Sequence, residues 1–354
     1  MYEYNGLKIT CDWLDFTVDA VNPYEVMNMF GLVPDMFQKM QHGSLGYSGM
    51  FRCKNAEITV LYDGAVEMGV HLQVKGSAIS CFLDFFRETL KDTALTPWGT
   101  QPYNYKDFAD IDNLFKILFE KICENGWITR LDLALDDVGV NYYSCKQVHN
   151  FLKKGEYVSR VKCWDVHIPH NRNGEETGYT VYLGSPRNSR MFLRVYDKKL
   201  EQKKDDLPDW VRWELVLKDE RAQNFANYII SGMNFAGAVA ACLNSMVRFI
   251  NLTSSNRSYC KTKKKWEKLI GEVGKLKLTT SKSKRTVDTA ADWINRQCAP
   301  TIAGLVAANG GSIDFLTKNL NEHFERLSAK DKEMFLNYFK GNKGDDDDEP
   351  ETSL

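Results

Sequence analysis

Three short segments carry acid or nucleophile side chains at strand spacing. In Trp127-Ile-Thr-Arg-Leu-Asp-Leu-Ala-Leu-Asp-Asp137, Leu131, Leu133 and Leu135 alternate with Asp132, Ala134 and Asp136. Read as a strand, this puts two carboxylates on one face and leucines on the other. In Trp210-Val-Arg-Trp-Glu-Leu-Val-Leu-Lys218, Glu214 shares a face with Arg212, Val216 and Lys218. In Phe192-Leu-Arg-Val-Tyr-Asp-Lys198, Phe192, Arg194, Tyr196 and Lys198 share a face. Carboxylates on neighbouring strands suit a hard cation such as Mg²⁺ or Mn²⁺, which takes oxygen ligands. A tyrosine with a permanent cation two residues away on each side suits a phenolate nucleophile. The cations would stabilise the phenolate and could bind a phosphate. A free phenol, with a pKa near 10, needs that help at neutral pH.

Each segment also has an ordinary reading. Asp132 and Asp136 lie roughly 13 Å apart along an unbent strand, so one ion does not readily take both. Asp132 is the favoured ligand, with Asp136 behind it. Taken alone, that strand is better read as an edge strand with a solvated polar face. Glu214 beside Arg212 is most simply a cross-strand ion pair. The chain has 16 tyrosines, and a strand tyrosine commonly packs. On residue chemistry alone, Tyr196 does not outrank a packing role. His71 and Gln73 share one face of Val70-His-Leu-Gln-Val-Lys75. There the imidazole is either a ligand or a satisfied polar group. His167 and His170, either side of Ile168 and Pro169, read as loop.

The positioning elements follow from periodicity. Residues 7–20 and 57–75 alternate as strands, with Val70–Lys75 a half-buried strand ended by Gly76, and Pro23 to Met40 reads as helical. Helices are expected at Ser80 to Leu95, Ile111 to Asn125 and Ser144 to Lys154. Strands are expected at Thr177 to Leu183, Arg190 to Lys198 and Trp210 to Lys218. Helical patterns cover Asp219 to Asn251 and most of Lys263 to Lys340. The division expected is a catalytic α+β body over 1–250, a basic helical region over 251–340 and a disordered acidic tail over 341–354.

Charge is uneven behind a net of -1. Six of the 47 acids lie between Asp345 and Glu351, leaving 41 against 46 Lys and Arg, a net of +5. Between Arg257 and Arg285 stand eleven Lys or Arg and two Glu. Arg257, Lys261, Lys263, Lys264, Lys265 and Lys268 open that cluster. Scarce acids favour polyanion binding over a solvated helix face. The nine cysteines are odd in number and lack a Cys-x-x-Cys pair, which favours reduced thiols in the cytoplasm over disulfides or zinc. No basic leader with an apolar core opens the chain. The apolar stretch Phe235 to Ile250 is too short to span a bilayer, so no membrane partner is expected. No phosphate-cradling Gly-x-x-x-x-Gly-Lys-Ser/Thr loop, Gly-x-Ser-x-Gly elbow or His-Glu-x-x-His pair occurs.

Several segments in this order resemble the replication initiation factor family, the Rep_trans-type plasmid rolling-circle initiators and the related MOB_T conjugative relaxases. They are Cys11-Asp-Trp-Leu-Asp-Phe-Thr17, Gly69-Val-His-Leu-Gln-Val-Lys-Gly76, Thr129 to Asp137, Gly178 to Ser185, Phe192 to Lys198, Val211 to Leu215 with Lys218-Asp-Glu220, and Lys263 to Leu269. The resemblance covers roughly residues 8–270. It implies an α+β fold similar to the HUH endonucleases but without their paired histidines, His71 and Gln73 marking the remnant strand and a possible second shell. It also implies nicking and joining of one DNA strand, with Tyr196 as nucleophile and a 5′-phosphotyrosyl intermediate. Arg194 and Lys198 would stabilise the transition state. Asp132, Glu214 and, third, Asp136 would hold Mg²⁺ or Mn²⁺. The implied partners are origin or oriT DNA, locally single-stranded or cruciform, host helicase and polymerase, and a second copy in a homodimer. The first reading is a rolling-circle initiator, to which the absence of a preceding helix-turn-helix inclines. A conjugative relaxase, a non-catalytic origin-binding protein and an RNA-binding module stay open.

Overall fold

Alternating apolar runs with β-branched and aromatic residues build strands along most of the first 250 residues. In the computed structural model these are β1 (Tyr2–Tyr4), β2 (Leu7–Val18), β3 (Phe37–Lys39), β4 (Gly49–Cys53), β5 (Ile58–Tyr62), β6 (Val70–Lys75), β7 (Gly126–Val138), β8 (Tyr157–Ser159), β9 (Trp164–His167), β10 (Thr180–Leu183), β11 (Met191–Asp197), β12 (Trp210–Lys218) and β13 (Val247–Phe249). The structure describes residues 2–65, 67–93, 110–204, 206–271, 278, 286–287, 290–291, 294, 299–318 and 324–342. Among them one 11-stranded sheet runs β3-β4-β5-β6-β2-β7-β12-β11-β10-β9, with β1 also pairing β2, and β13 pairs β8 separately. Every pairing in the large sheet is antiparallel. The α+β class and the HUH-like antiparallel sheet are as expected.

One face of the sheet is leucine-rich and covered by helices. Leu131, Leu133 and Leu135 of β7 and Trp213, Leu215 and Leu217 of β12 are wholly buried. The helices Ile111–Asn125 and Glu220–Ile230 pack on β7 and on each other. Cys145–Lys154 packs on β10 and β11, and Ala78–Thr93 on β6 and β2. The polar face is also buried at its centre, since Asp132, Asp136 and Glu214 are at most 4% exposed. The solvated polar face considered for β7 is therefore absent.

Two helical expectations split. Pro23 to Met40 holds an α-helix only over Pro23–Met29, followed by a single 3-10 turn at Pro34–Met36. Gly31 then takes a left-handed φ of +71° and the chain turns into β3. Residues 219–251 form Glu220–Ile230, Phe235–Met246 and β13, because Gly232 (φ +95°) breaks the run and Asn234 caps the second helix.

The chain forms two units, Met1–Thr280 and Ser281–Leu354. The division expected after residue 250 falls inside the first. Its reason is the helix Lys264–Ile270, which buries Trp266, Leu269 and Ile270. The Trp266 ring lies 5.8 Å from Trp213 and 4.9 Å from Phe249. Charge marks the outer surface of this helix, while its inner surface belongs to the sheet's core. The second unit contains helices Ala299–Ala308, Asp314–Thr317 and Ala329–Asn342. The tail expected over 341–354 begins inside the last helix and beyond Asn342 lies outside the described residues. Lys275, Lys277, Lys282, Lys284 and Arg285 of the basic cluster also lie outside them. Among the described residues no helix is long and apolar enough to cross a membrane.

Candidate active site

Antiparallel register aligns side chains across the sheet, because residues directly opposite share a face. One row is Lys8, Asp136, Arg212, Tyr196 and Thr180. The next is Thr10, Ala134, Glu214, Arg194 and Tyr182. A third brings Trp13 opposite Asp132 and Asp132 opposite Val216. The three segments singled out by spacing therefore meet on neighbouring strands β7, β12 and β11. Ala134 faces Glu214 with only a methyl group, which leaves room for the acid beside Asp132.

Tyr196 donates its hydroxyl to Glu214 Oε2 at 2.9 Å. Arg194, directly opposite Glu214, donates from Nη2 to Oε1. The cross-strand ion pair foreseen for Glu214 exists, with Arg194 of β11 as its partner. Arg194 Nε is buried without a hydrogen-bond partner among the described residues. Such an orphan donor costs free energy until an acceptor arrives. Lys198 pairs with Glu201 and stands 5.5 Å from the Tyr196 ring centre.

These contacts correct the phenolate picture. Tyr196 is buried, and burial pushes its pKa up. The neighbouring Glu214 adds to the rise, against the opposite pull of Arg212 and Arg194. Arg194 and Lys198 are each neutralised by a glutamate, so they do not store a phenolate. The site holds a neutral phenol against a buried carboxylate positioned to accept its proton.

Asp132 is gripped by Arg130 in a two-pronged bond, Nε to Oδ1 at 2.8 Å and Nη2 to Oδ2 at 2.7 Å. The Arg130 guanidinium stacks 3.8 Å from the Trp13 ring centre. Burial, helped by the nearby charge of Glu214, pushes the Asp132 pKa up to about 7 against the pull of Arg130. Asp136 stands apart. Its Oδ1 accepts from both Trp210 Nε1 (2.8 Å) and Arg212 Nε (2.7 Å), and its Oδ2 from Arg212 Nη2 (2.9 Å). Arg212 also reaches Asp12 at 2.7 Å.

Among the described residues no three His, Cys, Asp or Glu side chains form a cluster able to hold an ion. Mg²⁺, however, needs only one or two carboxylates when water and substrate phosphate complete its shell. Asp132 and Glu214 fit that requirement by donor type. Each of their oxygens accepts one hydrogen bond and so retains a lone pair. Asp136 fits less well, because Trp210 and Arg212 both bond its Oδ1 and only Oδ2, itself held by Arg212, retains a lone pair. His71 and Gln73 do not reach Asp132 or Glu214. His71 Nδ1 pairs with Thr17 Oγ1 at 2.9 Å, and Gln73 donates to Asp15 Oδ2 at 3.1 Å.

Arg130, Trp13, Asp12 and Asp15 were not among the residues picked out by sequence. Arg130 carried a visible signal, standing two residues before Asp132 on the same strand face. Asp12 carried none. A bulge between Cys11 and Trp13 inserts it into the ladder and lets it meet Arg212.

The expected polyanion contacts are mostly on the surface. Arg257, Lys261, Lys264, Lys265 and Lys268 are exposed. Lys263 is partly buried and bonded to Glu156 at 2.7 Å.

The chain is similar to known proteins. Residues 126–320 match the family model described as replication initiation factor, and residues 8–93 match the rolling circle replication initiation protein N-terminal domain. The "Putative DNA relaxase NicK" of Bacillus subtilis (strain 168) is 29% identical over 287 residues, covering 78% of this chain and 74% of that one. The solved rolling circle replication initiator protein of Geobacillus stearothermophilus superimposes with a TM-score of 0.61 at 27% identity, covering 77% of this chain and 99% of that one. With more than half of its length matched by one model, the chain belongs to the replication initiation factor family.

Proposed function

We propose that this protein nicks and rejoins one strand of origin DNA to start rolling-circle replication, with Tyr196 as the nucleophile. The observation that carries this reading is the 2.9 Å hydrogen bond from the Tyr196 hydroxyl to buried Glu214. Tyr196 Oη attacks the scissile phosphorus as its proton passes to Glu214 Oε2. The O–P bond to tyrosine forms, the bond to the 3′-oxygen breaks, and that oxygen leaves as a 3′-hydroxyl after taking a proton back. The 5′-phosphotyrosyl link conserves the phosphodiester, so rejoining needs no nucleotide triphosphate. Arg194, with its orphan Nε donor, is placed to bind a phosphate oxygen, an interaction worth about 3 kcal/mol in the transition state. Lys198, paired with Glu201 and 5.5 Å from the ring centre, contributes less.

Mg²⁺ or Mn²⁺ held by Asp132 and Glu214 would supply further charge to the scissile phosphate. Arg257, Lys261, Lys264, Lys265 and Lys268 contribute sequence-independent attraction to the backbone. The likeness to the B. subtilis relaxase favours a second reading by the same chemistry, nicking of oriT in a mobile element.

The test is covalent capture. A 3′-labelled single-stranded oligonucleotide spanning the cognate origin should become linked to the wild type and not to Tyr196→Phe, while both bind it equally. Nicking by Tyr196→Phe at the wild-type rate overturns the assignment.

A further inference from the structure

One cavity of the first unit lies away from the polar face of the sheet. This cavity of about 440 Å³ lies at the other end of β11, lined by Arg160, Lys162, Arg190 and Arg221 around Val161, Met191, Met246 and Leu278. Four cations converge there, and among the described residues no acid lines it. Arg190 makes only long ion pairs, 3.9 Å to Asp219 and 3.7 Å to Glu220. Arg160, Lys162 and Arg221 pair with no carboxylate among the described residues. Like charges with few or distant carboxylate partners around a pocket repel one another and focus an attractive potential for an anion.

The pocket also extends the basic segment seen in the sequence. Its Arg160 follows β8 directly, and at the other end of β8 the Arg257 guanidinium stands 5.6 Å from the Tyr157 ring. Three residues of extended chain span roughly 10 Å. Exposed cations thus continue from Lys261 and Arg257 to Arg160 and Lys162. Along β11, Met191 and Tyr196 are five residues apart, roughly 17 Å, which equals about five steps of one duplex strand at 3.4 Å. Met191 lies on the leucine face, opposite Leu217. A ligand at the pocket therefore sits beyond the strand end and away from the reacting atoms.

We propose that this pocket binds backbone phosphates of the duplex DNA flanking the nick. It anchors the protein through Arg160, Lys162 and Arg221 without touching the cleaved strand at Tyr196. The proposal rests on the DNA-nicking reading, but it is tested by binding alone.

The experiment compares the wild type with Arg160→Ala/Lys162→Ala/Arg221→Ala and with the charge-conserving Arg160→Lys/Lys162→Arg. The probe is a fluorescent 30-base-pair duplex of arbitrary sequence, titrated at several salt concentrations. Each lost phosphate contact lowers the slope of log K against log salt by about 0.9. The triple variant should lose about two to three in slope and at least tenfold in affinity, while the charge-conserving variant matches the wild type. Exposed Cys163 lines the pocket and exposed Cys81 does not. Duplex should therefore slow maleimide labelling of Cys163 and leave Cys81 unchanged. An unaltered slope in the triple variant, or equal labelling of Cys163 with and without DNA, overturns the proposal. Covalent capture of a short oligonucleotide reports separately on Tyr196. Capture that persists while the slope is unaltered refutes the pocket alone, whereas absent capture by the wild type refutes the nicking reading.

Discussion

Replacing Glu214 with glutamine tests the proton path from the nucleophile. The side chain is wholly buried, accepts from Tyr196 at 2.9 Å and pairs with Arg194. Glutamine keeps the volume and one hydrogen bond but cannot take the phenolic proton. Loss of a positioned base costs about a hundred- to ten-thousand-fold in rate, or roughly 3–5 kcal/mol of barrier. The structural cost should be smaller, about 1 kcal/mol, because Arg194 is one-third exposed and water screens its unpaired charge. A pH profile separates a lost base from a general disturbance. Glu214 is one cause of the raised Tyr196 pKa, so removing its charge lowers that pKa. Nicking by Glu214→Gln should therefore recover as pH rises, with hydroxide replacing the missing acceptor. Single-turnover formation of the covalent complex, at saturating cation and from pH 6 to 10, measures this directly. The double variant Tyr196→Phe/Glu214→Gln should be no slower than Tyr196→Phe alone, since the two residues act as a unit. A Glu214→Gln rate equal to wild type across this range would refute the reasoning.

Other expectations concern the surrounding residues. Asp136→Asn breaks the two-pronged bond with buried Arg212, which keeps Asp12 as a partner, and should destabilise the fold by about 1–3 kcal/mol. It should leave Mn²⁺ affinity of the folded protein unchanged, whereas Asp132→Asn weakens Mn²⁺ binding at least tenfold; calorimetry and urea unfolding distinguish them. Burial lowers the His71 pKa to about 4 from 6.5, so the unfolded chain binds the extra proton more readily between those values. Stability contributed at this position is present above pH 6.5 and lost as pH falls toward 4, by up to about 3 kcal/mol. Urea midpoints for His71→Asn should therefore fall less than those of the wild type over the same range. Trp266→Ala removes a buried ring packed on Trp213 and Phe249 and should cost about 3–5 kcal/mol. A smaller loss in thermal or urea unfolding would mean that the basic helix is not part of the core of the first unit.

Much of the framework was legible because strand alternation is local. The leucine run of β7 and the faces of β11 and β12 follow from a period of two. Ile111–Asn125 shows its apolar spacing and its Asp110 cap. Local pattern could also place Asp132, Glu214, Arg194 and Tyr196 on polar faces. It misled where a single glycine ended a helical run, at Gly31 and Gly232, because either residue could sit within a helix at modest cost.

The sequence by itself determined which residues share a face and which family motifs follow one another. Tertiary structure alone decided how the faces align. Strand order puts β12 between β7 and β11, and register then pairs Glu214 with Arg194 and Arg212 with Asp136. A shift of one residue would have sent every acid to the leucine face. Burial of the polar face likewise depends on the whole fold. It turns Tyr196 from a tyrosine between two free cations into a neutral phenol held against Glu214, since desolvation penalises the charged phenolate more than the nearby cations favour it.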